Sequence, residues 1–264
     1  MILAWFSCGI TSAVACKIAL QQYNNVRIVY FEIDSAHDDN ARFIKDCENW
    51  FGQKIERARS LKYKDQFDVI EKTRYINGPT GARCTSELKR KVRERIEKDG
   101  FDHQVFGFEY EKKEINRAVR FKEQHPHTSP LYPLIENKLT KNQCADILLK
   151  NGIKLPTMYE LGYTNNNCIM CVKGGKAYAN LVRKTHPEHF LRMAKIEREL
   201  NHTCLKDKDG PIFLDELDPN AGRHEKPILP DCGTFCEIEF AHIISDEVQK
   251  IMNSPLKKGQ LSLF

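Results

Sequence analysis

The sequence of 264 residues predicts an α/β protein in which a doubly wound, mostly parallel sheet is followed by a smaller helical domain rich in cysteine. Two observations predict this fold class. In the first half, short apolar runs alternate with helical patterns, which is the order of a parallel sheet with helical crossovers. After a stretch with three prolines, at residues 125–134, this alternation stops and closely spaced cysteines appear.

The elements follow from these patterns in chain order. Buried apolar runs predict strands at residues 2–6, 26–33, 54–58 and 103–108. Periodic apolar positions predict helices at residues 11–22, 38–51, 86–98 and 111–123. Beyond the prolines we expect a helix at 140–152, a loop at 163–175, a helical stretch at 176–201 broken before Pro187, and a hairpin around 204–214. The predicted domains are residues 1–134 and 135–253, with a tail at 254–264.

Composition is that of a globular protein, with 41% hydrophobic and 29% charged residues, which excludes collagenous and wholly disordered chains. No apolar run approaches the roughly 18 residues that cross a bilayer, and the first residues lack the basic segment of a secretory signal. We therefore expect a cytoplasmic protein without a membrane partner. The net charge of +5 favours polyanionic partners, although part of the basic segment at residues 83–95 should be solvated surface.

A loop at residues 6–13, FSCGITSA, directly follows the first predicted strand and opens the first helix. A helix N-terminus offers free backbone N–H groups to an anion, Gly9 allows close approach, and hydroxyls of Ser7, Thr11 and Ser12 can donate to phosphate. The loop therefore predicts a phosphate site. The alternative is a strand-to-helix turn with a Ser or Thr cap.

Ten cysteines in a long chain without a signal suggest reduced thiols, some of them metal ligands. Cys168 and Cys171 form one close pair and Cys232 and Cys236 another, which together give four thiolates for zinc or a 4Fe–4S cluster. A disulfide in either pair is the alternative. Cys84 stands at a predicted helix start among cations such as Lys89, an environment that favours a reactive thiolate; the alternative is a small buried side chain. Cys16, Cys47, Cys144 and Cys204 are predicted to be structural.

The loop SCGITS resembles the SGGxDS-type loop of the adenine nucleotide alpha hydrolase superfamily. The chain as a whole is similar to the phosphoadenosine phosphosulfate reductase-like branch of phage and mobile elements. The segments that carry this resemblance are residues 31–46, 81–91, 105–121, 131–141 and 165–178.

By this resemblance, Ser7, Gly9 and Ser12 would hold the nucleotide phosphates and Asp34 would lie near the ribose. Gly107 and Arg117 would close the phosphate side. Thr11 stands where the family usually has an aspartate.

The resemblance implies an enzyme that binds ATP or a phosphosulfate nucleotide and transfers or reduces sulfur, with Cys84 and Lys89 as catalytic residues. The reductases of the family end with a mobile cysteine, but here no cysteine follows Cys236. This favours an ATP pyrophosphatase-type sulfurtransferase, for which DNA or tRNA is a candidate substrate. The sulfur chemistry of the resembled family favours a 4Fe–4S cluster over zinc. The alternative is a non-catalytic nucleotide-binding adaptor with a structural zinc site.

The last five residues, QLSLF, resemble the pentapeptide by which bacterial polymerases and repair proteins dock on the replicative sliding clamp. Leu261, Leu263 and Phe264 would fill apolar pockets while Gln260 meets the polar rim and Ser262 spaces them. The alternative is a terminus that folds back and buries these side chains on its own core.

Overall fold

The computed structural model describes residues 1–79, 81–223 and 228 of the chain. Five parallel strands form its main sheet, in the order β3-β2-β1-β4-β5. They are β1 (Ile2–Phe6), β2 (Val26–Phe31), β3 (Glu56–Ala58), β4 (His103–Val105) and β5 (Pro130–Leu131). This parallel sheet with helical crossovers confirms the predicted α/β class. The separate helical cysteine-rich domain stays a prediction.

Helices connect the strands and continue after the sheet. Their bounds are α1 (Ile10–Gln22), α2 (Asn40–Phe51), α3 (Gln66–Thr73), α4 (Arg83–Thr85), α5 (Lys91–Glu97), α6 (Lys112–Gln124), α7 (Pro133–Glu136), α8 (Lys141–Lys150), α9 (Thr157–Glu160), α10 (Lys176–Thr185) and α11 (Pro187–Leu200). A short antiparallel hairpin follows, with β6 (Lys206–Asp207) and β7 (Gly210–Pro211). No helix among the described residues is both long and apolar enough to cross a membrane.

The central strand β1 is buried along its whole length because it has a strand on either side and helices on both faces. Ile2 pairs with Val26 of β2 and with His103 of β4. One face of the sheet packs on α1, α2 and α8, and the other packs on α5 through Val92 and Ile96. Apolar runs without polar alternation, such as ILAWF, are what a doubly covered parallel strand requires.

The order of the strands creates a switch point beside β1. From β1 the chain adds β2 and β3 on one side, then returns to add β4 and β5 on the other. The connections that leave the carboxyl ends of β1 and β4 therefore diverge. In open α/β sheets this crevice is where ligands bind.

The proline-rich stretch at residues 125–134 does more than separate two parts of the chain. It forms the edge strand β5, where proline is tolerated, and the start of α7. Beyond it, Leu139, Cys144 and Leu148 lie in the same buried cluster as β1 and α1. The core of the sheet thus continues past residue 134, and the domain limits at 134 and 253 stay predictions.

Two helical details differ from the periodic pattern. α3 was not predicted, although Phe67 and Ile70 on it are almost fully buried. The helix expected at residues 86–98 begins three residues earlier, at α4, and passes through a π-helical segment, Ser86–Arg90, before α5. Segments of this type occur often at functional sites, and this one lies next to Cys84.

Candidate functional site

The predicted phosphate loop lies at the switch point. It leaves the carboxyl end of β1 at Ser7, and α1 begins at Ile10. The connection from β4 runs beside it through Gly107. The first turn of α1 therefore directs its backbone amides into the crevice between β1 and β4, where they can bind an anion.

Ser12 organises this loop from within. Its hydroxyl donates to the Gly9 carbonyl at 2.9 Å and accepts hydrogen bonds from the amide and the hydroxyl of Ser7, both at 3.0 Å. Because Ser12 is 3% exposed, this hydroxyl shapes the loop. Ser7 is exposed and Thr11 half-buried, so their hydroxyls and the helix amides are the groups open to a ligand.

A strained residue, Cys8, stands at the centre of the loop. Its φ of 60° lies in the left-handed region, which residues other than glycine seldom adopt. Asn166 secures this turn, because its amide donates to the Cys8 carbonyl at 2.6 Å and to Asn40 Oδ1 at 2.8 Å. The Tyr159 hydroxyl accepts the Ile10 amide at 3.3 Å. Strain that distant residues maintain is typical of functional loops.

Gly107 closes the other side of the loop. A Cβ at this position would come within 2.8 Å of both the amide nitrogen and the Cα of Ser12, so only glycine fits. The next residue, Phe108, stacks under the guanidinium of Arg117, whose centre lies 4.5 Å from the ring. Arg117 also pairs with Glu114 at 3.2 Å. Gly107 thus contacts the phosphate loop directly, and phosphate binding by Arg117 stays a prediction.

Asp34 follows β2 at the same edge of the sheet. It is exposed, forms an ion pair with Arg59, and its amide donates to the Lys64 carbonyl at 3.1 Å. The position agrees with the predicted location, and the contact with a ribose stays a prediction.

The loop that carries Cys168 and Cys171 is fastened to this edge. The Ile169 amide donates to the Ser35 carbonyl at 2.9 Å, and the Gln66 side chain donates to the Ile169 carbonyl at 2.7 Å. Asn166 of the same loop holds Cys8, as described above. Direct hydrogen bonds therefore connect the cysteine loop with the phosphate loop and with the residue after Asp34.

Local geometry within the cysteine loop is set by Tyr178. Its hydroxyl accepts the Cys171 amide at 3.0 Å and donates to the Cys168 carbonyl at 2.9 Å. Between the two cysteines, Met170 adopts a φ of 60°, which turns the chain sharply. This compact turn holds the two thiols on one loop.

Two further cysteines face the same region. Burial, and then the neighbouring Cys171 and Cys168, raise the pKa of Cys84 to about 11. Burial is also the main cause that raises the pKa of Cys204 to about 11, with Glu197, Cys84 and Cys171 adding to it. Cys84 and Cys204 both pack against the buried cluster that contains Ile169 and Met170 of the cysteine loop, and Cys84 packs with Cys168 against a second cluster. We call Cys84, Cys168, Cys171 and Cys204 the cysteine cluster.

The environment of Cys84 differs from the one expected from sequence. A helix start and nearby cations predicted a lowered pKa, but burial and the adjacent thiols outweigh them. The ammonium of Lys89 acts in the expected direction, since it lowers the pKa of both Cys168 and Cys84 against the larger effect of burial. The catalytic roles of Cys84 and Lys89 stay predictions.

Within residues 1–79, 81–223 and 228, no group of three or more His, Cys, Asp or Glu side chains is arranged to hold a metal ion. The other predicted ligands, Cys232 and Cys236, lie outside the described residues. A metal site on Cys168 and Cys171 stays a prediction.

Glu109 is a residue that sequence reasoning missed. It follows β4 two residues after Gly107, is 8% exposed, and approaches Lys141 at 3.5 Å. Burial raises its pKa, although Lys141 opposes this, and its Oε2 has no hydrogen-bond partner among the described residues. A buried carboxylate oxygen is seldom left without a partner. Nothing in the local sequence FGFEYE distinguishes Glu109 from a surface glutamate.

Residues 1–173 match the family model of the phosphoadenosine phosphosulfate reductase domain. No curated protein matches the chain. Among solved structures, the chain is similar to a phosphoadenylyl-sulfate reductase from Candida auris in a phosphate complex, with 10% sequence identity and a TM-score of 0.46. That match covers 63% of this chain and 80% of the other.

Proposed function

The chain belongs to the phosphoadenosine phosphosulfate reductase domain family, and on this premise we propose that it is an adenine-nucleotide-dependent enzyme of sulfur transfer. One observation carries the proposal. The loop with Cys168 and Cys171 is hydrogen-bonded to the phosphate loop through Asn166 and to Ser35 through Ile169. A nucleotide at the switch point and a sulfur group at the cysteine cluster would thus act at one edge of the sheet.

The substrate that we favour is ATP, with a phosphosulfate nucleotide as the alternative. Amides at the start of α1 and the hydroxyls of Ser7 and Thr11 would bind the phosphates, while Ser12 and Gly107 keep the loop in shape. An acceptor oxygen would attack the α-phosphorus and release pyrophosphate. A sulfur nucleophile would then bond to the acceptor carbon, and AMP would leave with the oxygen.

For the cysteine cluster we propose a 4Fe–4S cluster, with zinc as the alternative. Four thiols suit either group. Burial raises the pKa of the Cys84, Cys168 and Cys204 thiols, so a bound cation would displace their protons. Such a group would supply sulfur coordination and redox chemistry at this edge. Lys89 would stabilise developing thiolate charge there, because its ammonium already lowers the pKa of Cys168 and Cys84.

Metal analysis of cysteine variants tests this assignment. We expect Cys84→Ala and Cys204→Ala to lose most of the bound iron and sulfide, or zinc, while the buried control Cys16→Ala retains it. Retention in Cys204→Ala together with loss in Cys232→Ala would refute the cluster in favour of the two close pairs predicted from sequence.

Measuring ATP turnover distinguishes the proposed enzyme from the alternative, a non-catalytic nucleotide-binding adaptor with a structural zinc site. The enzyme should release AMP and pyrophosphate from ATP in the presence of its acceptor. Stoichiometric zinc without turnover would support a structural role.

From the resemblance of QLSLF alone we also propose docking on a bacterial sliding clamp through Gln260–Phe264. These residues lie outside the described part of the chain. A pull-down that compares the full chain with one ending at Gly259 would detect it, and equal capture of both would exclude the tail as the docking motif.

A further inference from the structure

A cavity lies beside Arg83 and Thr85, the chain neighbours of Cys84, and none of the phosphate-loop residues lines it. Its volume is about 350 Å³, and its polar lining comes from α4, the π-helical segment and two loops. The side chains that matter are Tyr75, Arg83, Thr85, Ser86, Arg90 and Lys173. We call this cavity the basic cleft. Its size is within the range of pockets that hold small molecules or single nucleotides.

The basic cleft is cationic, and none of the described residues that line it is acidic. Of its three cations, Arg83 is balanced by Glu87, at 3.0 Å. Arg90 and Lys173 are both exposed, and neither has an acidic partner within 4.0 Å in the part of the chain that the structure describes. Two unbalanced cations beside hydroxyl groups are a suitable environment for a phosphate oxyanion.

The basic cleft is also close to the cysteine cluster. Arg83 and Thr85, the chain neighbours of Cys84, both line it. Lys173 itself lies two residues after Cys171 on the cysteine loop. A group bound in the cleft would therefore be presented to the cysteine cluster, on a side separate from the nucleotide.

The basic surface continues along the same helical segment. Arg95, five residues after Arg90, lines a further cavity of about 320 Å³, whose lining also contains Glu56 and Asp99. At about 1.5 Å per residue, Arg90 and Arg95 are roughly 8 Å apart along this segment, which is enough for more than one phosphate of a strand. A site for one small anion would need no such extension.

We propose that the basic cleft binds the phosphate backbone of a single-stranded nucleic acid and presents this acceptor to the cysteine cluster. Arg90 and Lys173 bind the phosphate, and Tyr75 offers a ring against which a base can stack. This inference deepens the proposed function and depends on it only for the chemical step, because strand binding requires no nucleotide turnover.

The test is a fluorescence anisotropy titration of the full chain with a short single-stranded oligonucleotide at several salt concentrations. We expect Arg90→Glu and Lys173→Glu each to weaken binding about tenfold or more and to reduce the slope of log affinity against log salt by about 1. Lys45→Glu is the matched control, because Lys45 is an exposed cation on α2, which covers the opposite face of the sheet.

Inorganic phosphate and AMP serve as competitors that distinguish the source of the phosphate. Supporting results are weak competition by both and loss of strand binding in the two cleft variants. Strand affinities and salt slopes that match the Lys45→Glu control would overturn the proposal. So would equal competition by inorganic phosphate, which would identify a small-anion site. ATP affinity of the same proteins is a separate readout, and its absence in wild type would refute the proposed function without affecting strand binding.

Discussion

At the scale of single residues, the sequence indicates the residues of the phosphate loop, whose placement is local, and it missed residues that reach this loop through distant contacts. Ser7, Gly9 and Ser12 could be predicted because a strand, a small-residue loop and a helix follow one another in the chain. Tyr159 and Asn166 contact the same loop from about 150 residues away, and nothing in their neighbourhood indicates this. The raised pKa of Cys84 was missed for the same reason, since burial by other segments decides it.

Glu109 gives a pH-dependent prediction. Burial raises the pKa of its carboxyl above the ordinary value of 4.5, so the folded state binds a proton that the unfolded chain has already lost. Ionising Glu109 therefore destabilises the fold as pH rises above 4.5. We expect Glu109→Gln to gain stability relative to wild type between pH 4.5 and 8.

Urea unfolding across this pH range measures the effect. Glu123→Gln, at an exposed position of α6, is the control and should follow wild type at every pH. A Glu109→Gln protein whose stability relative to wild type does not change with pH would contradict the assignment.

At the scale of elements, periodicity predicted most helices and strands of the described chain, and it failed where the pattern is short or irregular. α3 has eight residues and follows a charged loop, so its buried face was too brief to detect. The proline stretch was read as a boundary, but proline also suits an edge strand and a first helical turn, which is how β5 and α7 use it. The π-helical segment Ser86–Arg90 has no sequence pattern that distinguishes it from an α-helix.

The loop of residues 163–175 connects the two halves of the site, which predicts an effect of Asn166. Removing its amide in Asn166→Ala leaves the strained Cys8 turn without its bond to the cysteine loop. We expect a loss of roughly 1–3 kcal/mol in the free energy of unfolding and weaker ATP binding.

Asn167→Ala is the matched control, because Asn167 is the exposed neighbour of Asn166 on the same loop. Denaturant unfolding and calorimetry on both variants provide the comparison. Equal behaviour of the two proteins would mean that the cysteine loop and the phosphate loop are independent.

At the scale of the whole molecule, the fold determines where the chemistry can occur. The strand order β3-β2-β1-β4-β5 brings the ends of β1, β2 and β4 to one edge, and the sequence predicted this because every strand was followed by a helix. The gathering of Cys84, Cys168, Cys171 and Cys204 could not be predicted, because these cysteines come from three separate segments. Close spacing along the chain predicts ligation by Cys232 and Cys236 together with Cys168 and Cys171, and this stays a prediction because Cys232 and Cys236 lie outside the described residues.

The account depends most on nucleotide binding at the switch point, and calorimetric titration of ATP into Gly107→Ala tests it directly. The added Cβ would lie 2.8 Å from the backbone of Ser12, so the phosphate loop must shift, whereas the control Gly175→Ala places its Cβ in open space. We predict that Gly107→Ala loses at least tenfold in ATP affinity, the equivalent of about 1.4 kcal/mol, while Gly175→Ala binds like wild type. Equal ATP affinity in the two variants, or no binding by wild type, would contradict the central claim.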